Sequence, residues 1–280
     1  MSELEALLLG IVQGLTEFLP ISSSGHLILV PWLQDYRFLL DNESFNKTFD
    51  VALHAGTLIA AVWYFRTDVV VYLRAFFRSV RNRAIAGSDE VVAWAIAIGT
   101  VPAVLAGGLG ESFFTDHAGQ PWMIGVLLIV FGAVLLWADS FPQRRPLEQI
   151  RLRDGLYVGL AQVVALLPGT SRSGITITMG RFLGLDRESS AKISFLLLIP
   201  VVAGATVYKA AKAVKDGLPP DVAGPMIVGT IAAAVSGYFA IAFLLRYVQT
   251  HSYKPFAYYR FAAGTAVLLI IATGLRPATF

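Results

Sequence analysis

The chain contains no cysteine and carries little charge. Without thiols it forms no disulfide, binds no Cys-ligated metal and runs no thiolate chemistry. Charged residues make up 15% of its 280 positions, where an ordinary soluble domain has roughly a quarter, and hydrophobic residues make up 56%. A basic stripe interleaved with aromatics is also missing. The net charge of +3 therefore points to no nucleic-acid groove and bears instead on membrane orientation. The amino terminus lacks the marks of a cleavable leader. Glu3 and Glu5 stand where a basic region belongs, and no small-residue cleavage site follows, so the first apolar run is expected to be retained as structure.

Apolar stretches near the ~20-residue spanning length recur along the chain. They cover about 49–65, 91–110, 121–138, 190–208, 222–246 and 256–275. A polytopic, all-α membrane protein is the expected class. Two further apolar stretches fall short of a span: 4–20, ending at Pro20, and 155–168, ending at Pro168. Each is followed by small hydroxyl residues and glycine, then by a second short apolar run (27–33 and 175–185). That order predicts two re-entrant helical hairpins, about 4–33 and 155–185. Non-helical backbone at membrane depth is tolerated where protein or a water-filled cavity covers it.

The two hairpins resemble each other. In GIVQGLTEFLPISSSGHL (10–27) and GLAQVVALLPGTSRSGIT (159–176), Gly10, Gln13, Ser22, Ser24 and Gly25 fall at one constant offset on Gly159, Gln162, Ser171, Ser173 and Gly174. Three spans follow each hairpin. A hairpin returns to its own side and three is odd, so the second half is expected to insert upside down relative to the first. The reading is an inverted-topology repeat, 1–150 and 151–280, each half a re-entrant hairpin plus three transmembrane helices, with the interrupted segments meeting near the midplane.

Lys/Arg asymmetry sets the expected orientation. Arg66, Arg74, Arg78, Arg81, Arg83, Arg144, Arg145, Arg151, Arg153, Arg181, Arg187, Lys192, Arg246 and Lys254 fall on one side. Arg37, Lys47, Lys209, Lys212, Lys215 and Arg276 fall on the other. The larger group is placed in the cytoplasm, with the 66–90 and 139–155 loops inside, both termini outside and the first hairpin opening outward. The Lys209–Lys212–Lys215 cluster runs against this assignment.

Glu17, His26 and Arg172 are the informative ionisable residues, because charge inside a membrane normally marks a functional interior. A bland alternative is an Arg172–Glu17 pair that merely ties the hairpins together. The surrounding hydroxyls argue for more: Ser22, Ser23 and Ser24 at one turn, and Thr170, Ser171, Ser173 and Thr176 at the other. Backbone N–H groups of these turns (Gly25 and Gly169 lie in them), the hydroxyls and a guanidinium form a cradle best matched to phosphate. Gln13 and Glu17 are four residues apart and share a helical face. Glu17 suits a general base or cation ligand; Gln13 can orient water or phosphate but cannot act as a base. His26 is placed to shuttle a proton or to attack phosphorus itself. Asp50 and His54 either line the pocket mouth or form an interfacial pair. His117 and His251 are expected to have no chemical role, and Asp139 is expected to be a solvated cap.

QGLTEFLPISSSGH (13–26) and PGTSRSGIT (168–176) resemble the two signature blocks of the bacterial undecaprenyl-diphosphate phosphatases of the bacitracin-resistance type. Length and span pattern agree over essentially the whole chain. The resemblance implies a hydrolase of the bacterial cell (inner) membrane that takes undecaprenyl diphosphate to undecaprenyl phosphate. It would thereby recycle the carrier for peptidoglycan synthesis and confer bacitracin resistance. Carried over by position, Glu17, His26 and Arg172 become the catalytic core. Ser22, Ser23, Ser24, Ser171, Ser173 and Thr176 become phosphate ligands or nucleophile candidates. A divalent cation, Mg²⁺ or Ca²⁺, is implied as well, with Glu17 as its ligand. Gln13 departs from the glutamate of many members and removes one metal ligand. Ser23, activated by Glu17 or His26, is favoured as nucleophile over His26 or water. A polyprenyl-phosphate transporter or flippase using the same midplane anion site is the rival from another class. Oligomeric state stays open, a homodimer included.

Overall fold

The computed structural model describes residues 1–36, 38–39, 42–117, 119–216 and 222–279, without the side chains of 43–44, 109–117 and 209–216. Arg37 and the side chains of His117, Lys209, Lys212 and Lys215 thus lie outside the described residues. Eleven α-helices are present among those described: α1 (Glu3–Phe18), α2 (Ser23–Gln34), α3 (Glu43–Tyr64), α4 (Arg66–Asn82), α5 (Ser88–His117), α6 (Pro121–Asp139), α7 (Leu152–Val164), α8 (Arg172–Phe182), α9 (Arg187–Asp216), α10 (Ala223–Val248) and α11 (Lys254–Ala272).

Five of them, α5, α6, α9, α10 and α11, are long and apolar enough to cross a membrane. The sixth expected span, 49–65, lies in α3, which carries Lys47, Asp50 and His54 and meets that measure only together with α4. The 66–90 segment, expected as a loop, is mostly the helix α4, bent by 80° from α3. Large apolar side chains face outward on the spans, such as Trp63, Val104, Val130, Ile231 and Phe239, as a lipid solvent requires.

Both short segments fold as helix, turn, helix. A capping box between Ser2 and Glu5 starts α1, and the helix stops before Pro20. The second helices begin earlier than the apolar runs at 27 and 175 suggested, at Ser23 and Arg172. The reason is local. Ser22 caps the Gly25 N–H and Ser171 caps the Gly174 N–H, which draws the polar turns into the first helical turn.

Packing between the halves is reciprocal. Helix α1 lies against α10, and α7 lies against α5. Gly10 and Gly159, the aligned positions of the two hairpins, allow both approaches: a Cβ on Gly10 would run into the Gly229 carbonyl, and one on Gly159 into the Gly99 carbonyl. A core around Phe18, Ile177, Phe195, Leu197 and Ile241 joins both hairpins to the spans. At one end of the bundle, Asp139 is buried rather than the solvated cap expected of it. Its carboxylate accepts from Arg187 Nε at 2.6 Å and from the Tyr253 N–H at 3.0 Å, tying α6 to α9 and α11.

Candidate active site

The two polar turns meet. Ser22 Oγ accepts hydrogen bonds from its own helix at Gly25 N and from Gly169 N of the opposite turn at 3.2 Å. Ser173 Oγ donates to the Leu19 carbonyl at 3.0 Å in the reverse direction. Ser22 and Ser171 both occupy the left-handed region, at φ 79° and 74°. Such backbone costs a non-glycine residue about 1–3 kcal/mol and persists where surroundings over-determine it, typically at functional sites. The N-termini of α2 and α8 are thereby brought to one place, where their partial positive charges favour an anion.

Glu17 is the centre of this place. It is buried, and its two carboxylate oxygens are used separately. Oε1 accepts from Arg172 Nη2 at 2.8 Å. Oε2 accepts from Ser23 Oγ at 2.5 Å and from Gln13 Nε2 at 3.2 Å, and lies 3.8 Å from His54 Nε2. Arg172 is fixed in turn by its Nη1, which donates to the Ser194 carbonyl of α9 at 3.0 Å. His54 donates from Nδ1 to the Asp50 carbonyl at 2.7 Å, which turns its Nε2 toward the carboxylate. His54 thus faces the Glu17 carboxylate.

His26 stands beside this group, held at both ring nitrogens. Nδ1 bonds the Ser22 carbonyl at 2.7 Å, which makes it the protonated nitrogen, and Nε2 lies 2.7 Å from the Tyr259 hydroxyl of α11. The rings are stacked at 5.7 Å. Nε2 is then an acceptor in the neutral form, the state a proton shuttle requires.

The other hydroxyls divide between scaffold and opening. Ser171 caps α8 and touches Ser173 Oγ at 3.2 Å. Thr176 is fully buried; its hydroxyl donates to the Arg172 carbonyl at 2.7 Å and lies 2.7 Å from Ser194 Oγ, which ties α8 to α9. Ser22 is likewise occupied as the clamp between turns. Ser24 is half-buried and makes no side-chain hydrogen bond among the described residues. Thr170 Oγ1 and Gln13 Oε1 are buried and lack a hydrogen-bond partner among the described residues. Sequence reasoning missed two contributors on α11, Tyr259 and Arg260. The Arg260 side chain is fully buried and donates to five carbonyls: Pro20 of the first turn, Gly169 and Thr170 of the second, and Leu127 and Leu128 of α6. An arginine inside the apolar 256–275 stretch was the available signal. Elsewhere His251 is exposed, stacked on Tyr247 and hydrogen-bonded to Thr250.

The implied divalent cation would need hard oxygen donors. No cluster of three or more His, Asp or Glu side chains able to hold a metal occurs among the described residues. Glu17 and the unpartnered Gln13 Oε1 are hard oxygen donors of the type Mg²⁺ and Ca²⁺ take, and they fit such an ion if the diphosphate supplies the remaining oxygens.

The family model described as bacitracin resistance protein BacA matches residues 6–266. The undecaprenyl-diphosphatase of Pelobacter propionicus is 44% identical over 277 residues, covering 98% of this chain and 99% of the relative. That of Geobacter sulfurreducens is 46% identical over 270 residues (96% and 98%), and that of Thermomicrobium roseum 45% over 277 residues (96% and 98%).

Proposed function

We propose that this chain, which belongs to the bacitracin resistance protein family, is an undecaprenyl-diphosphatase, a multi-pass membrane hydrolase that returns the lipid carrier to peptidoglycan synthesis and confers bacitracin resistance. The observation that carries this reading is the Ser23–Glu17–Arg172 constellation at the junction of two helix N-termini, within the two motif blocks. A passive carrier has little use for a hydroxyl aimed at a carboxylate, so the chemistry favours hydrolysis over lipid transport.

In the mechanism, Glu17 takes the proton of Ser23 Oγ as that oxygen attacks the terminal phosphorus. The bond from phosphorus to the bridging oxygen breaks, and the lipid monophosphate leaves with its electron pair. Arg172 and the N-terminal ends of α2 and α8 stabilise the charge on the transferred phosphoryl group. His26, fixed by Ser22 and Tyr259, receives at Nε2 the proton that Glu17 took and passes it to the leaving oxygen. Water then attacks the phosphoserine, the bond from phosphorus to Ser23 Oγ breaks and phosphate departs, while His26 accepts a proton from the attacking water and returns it to Ser23 Oγ. A bound divalent cation, held by Glu17, Gln13 Oε1 and the diphosphate, would neutralise substrate charge.

The halves 1–150 and 151–280 form an inverted repeat. Its support is the matching pair of serine caps and the reciprocal packing of each hairpin's first helix on the second span of the other half. The charge asymmetry supports placement in the bacterial cell (inner) membrane with both termini outside. A cysteine placed at Glu148, in a chain with no other thiol, should resist an impermeant reagent in intact cells; labelling from outside overturns that orientation.

Phosphate release from a polyprenyl diphosphate by pure protein in proteoliposomes tests the central reading. Steady release abolished by Glu17→Gln is expected. No release, or equal release by the variant, overturns it.

A further inference from the structure

Helix α4 is bent by 80° from α3, so it runs across rather than along the direction of a span. One side of it is docked on the protein. Ser79 Oγ accepts from Trp94 Nε1 at 2.8 Å, the Phe76 and Trp94 rings are 4.8 Å apart, and Asp68 pairs with Lys192 at 2.7 Å. The opposite side is apolar and uncovered: Val70, Leu73, Phe77 and Val80 are 43%, 53%, 66% and 50% exposed. At about 100° per residue these four fall in a band about 80° wide. The adjoining band holds Arg74, Arg78 and Arg81, all exposed. Leu73, Phe77 and the three arginines line one shallow recess with Asn82.

Water does not suit the apolar band, and a second copy does not suit the cationic one. Three arginines at i, i+4 and i+7 repel one another along the helix, and a self-complementary contact would set arginine against arginine. Only Arg78 finds an anion among the described residues, Glu90 at 2.7 Å. At the bend, exposed Trp63 lies under the Arg66 guanidinium at 5.5 Å, an aromatic–cation pair of the kind that sits at headgroup level.

We infer that α4 is an interfacial helix lying in the headgroup plane, its Val70–Leu73–Phe77–Val80 stripe in the acyl boundary and its Arg74, Arg78 and Arg81 guanidiniums on the phosphates of anionic phospholipids. The occupant follows from the two stripes together: an apolar band about as wide as a monolayer boundary needs, bordered by cations of one sign. It is continuous with the bilayer because α3, one residue away, descends into it. This site is distinct from the Glu17 constellation and selects for the host membrane rather than for the substrate.

The test uses full-length protein in nanodiscs of phosphatidylcholine with or without phosphatidylglycerol. Spin labels on the single-cysteine variants Leu73→Cys and Phe77→Cys are expected to relax with oxygen and resist a water-soluble nickel reagent, while a label on Asn82→Cys favours nickel. Nickel accessibility at 73 and 77 equal to that at 82 overturns the placement, and dipolar coupling between labels at 77 in both lipids assigns the face to a second copy instead. For the headgroup, co-purified lipid is quantified by mass spectrometry. Arg74→Gln/Arg81→Gln, which leaves the Arg78–Glu90 pair in place, is expected to reduce phosphatidylglycerol retention over phosphatidylcholine by about fivefold per arginine. Unchanged selectivity in that variant overturns the phosphate contact.

Discussion

The Ser23 hydroxyl lies 2.5 Å from one oxygen of the Glu17 carboxylate, while Arg172 holds the other oxygen at 2.8 Å. The carboxylate is thus split between a proton to be taken and a cation that keeps it ionised. That division supports the proposal that Glu17 acts as a base first and a cation ligand second.

Ser23→Ala and Glu17→Gln are each expected to lower kcat by about 10²–10⁴-fold, with the double variant little worse than either, since the two act as one unit. Initial-rate phosphate release measures this. If Glu17 chiefly holds the cation, Glu17→Gln instead shifts the Mg²⁺ or Ca²⁺ concentration needed for half-maximal rate.

Arg172 and Arg260 are expected to separate cleanly. Arg172→Lys keeps a charge but not the planar fork, and should lose about 10²–10³-fold in turnover with thermal stability in detergent nearly unchanged. Arg260→Ala strands five carbonyls in the interior, and should destabilise the fold by at least about 3 kcal/mol. Near-normal turnover of Arg172→Lys would return it to a structural tie.

His26→Ala is expected to retain a low rate that climbs at alkaline pH, where hydroxide compensates for the missing shuttle. Tyr259→Phe removes one hydrogen bond from Nε2, and should cost about 3- to 10-fold while shifting the pH profile. An acid-labile, alkali-stable phosphoprotein present in the wild type and absent from His26→Ala would make the histidine, not Ser23, the nucleophile.

Gly10→Val and Gly159→Val should each destabilise the protein by about 1–3 kcal/mol, because each drives a side chain into a carbonyl of the facing helix. Similar losses at both positions, read as melting temperatures in one detergent, fit the reciprocal packing. A loss at one alone counts against the repeat.

The local parts of this protein were readable from the sequence. Pro20 follows the end of α1, although α7 ends at Val164, four residues short of Pro168; serines cap the second helices, and the S-x-S-G spacing matches the turns to one another. The tertiary parts were not. Arg260 satisfies carbonyls 90 to 240 residues away in the chain, and a carbonyl leaves no mark in a sequence. Asp139 looked solvated because it ends a span, yet Arg187 and Tyr253 come from distant helices to cover it. Helix α4 carried a readable signal in the 3–4-residue spacing of Leu73, Phe77 and Val80, obscured by its arginines, which suggested a loop.

Arg260 has a consequence for biosynthesis. The other residues of the constellation, Gln13 to Ser194 and Tyr259, precede it in the chain, and its guanidinium hydrogen-bonds both turns and α6 at once. During translation the two turns can clasp one another once both hairpins are in the bilayer, through Ser22, Ser173 and the Arg172–Glu17 pair, but their tie to α6 awaits the helix that carries Arg260. A nascent chain stalled before that point would leave the Pro20, Gly169 and Thr170 carbonyls without their guanidinium, so the last fastening of the turns arrives at the close of insertion.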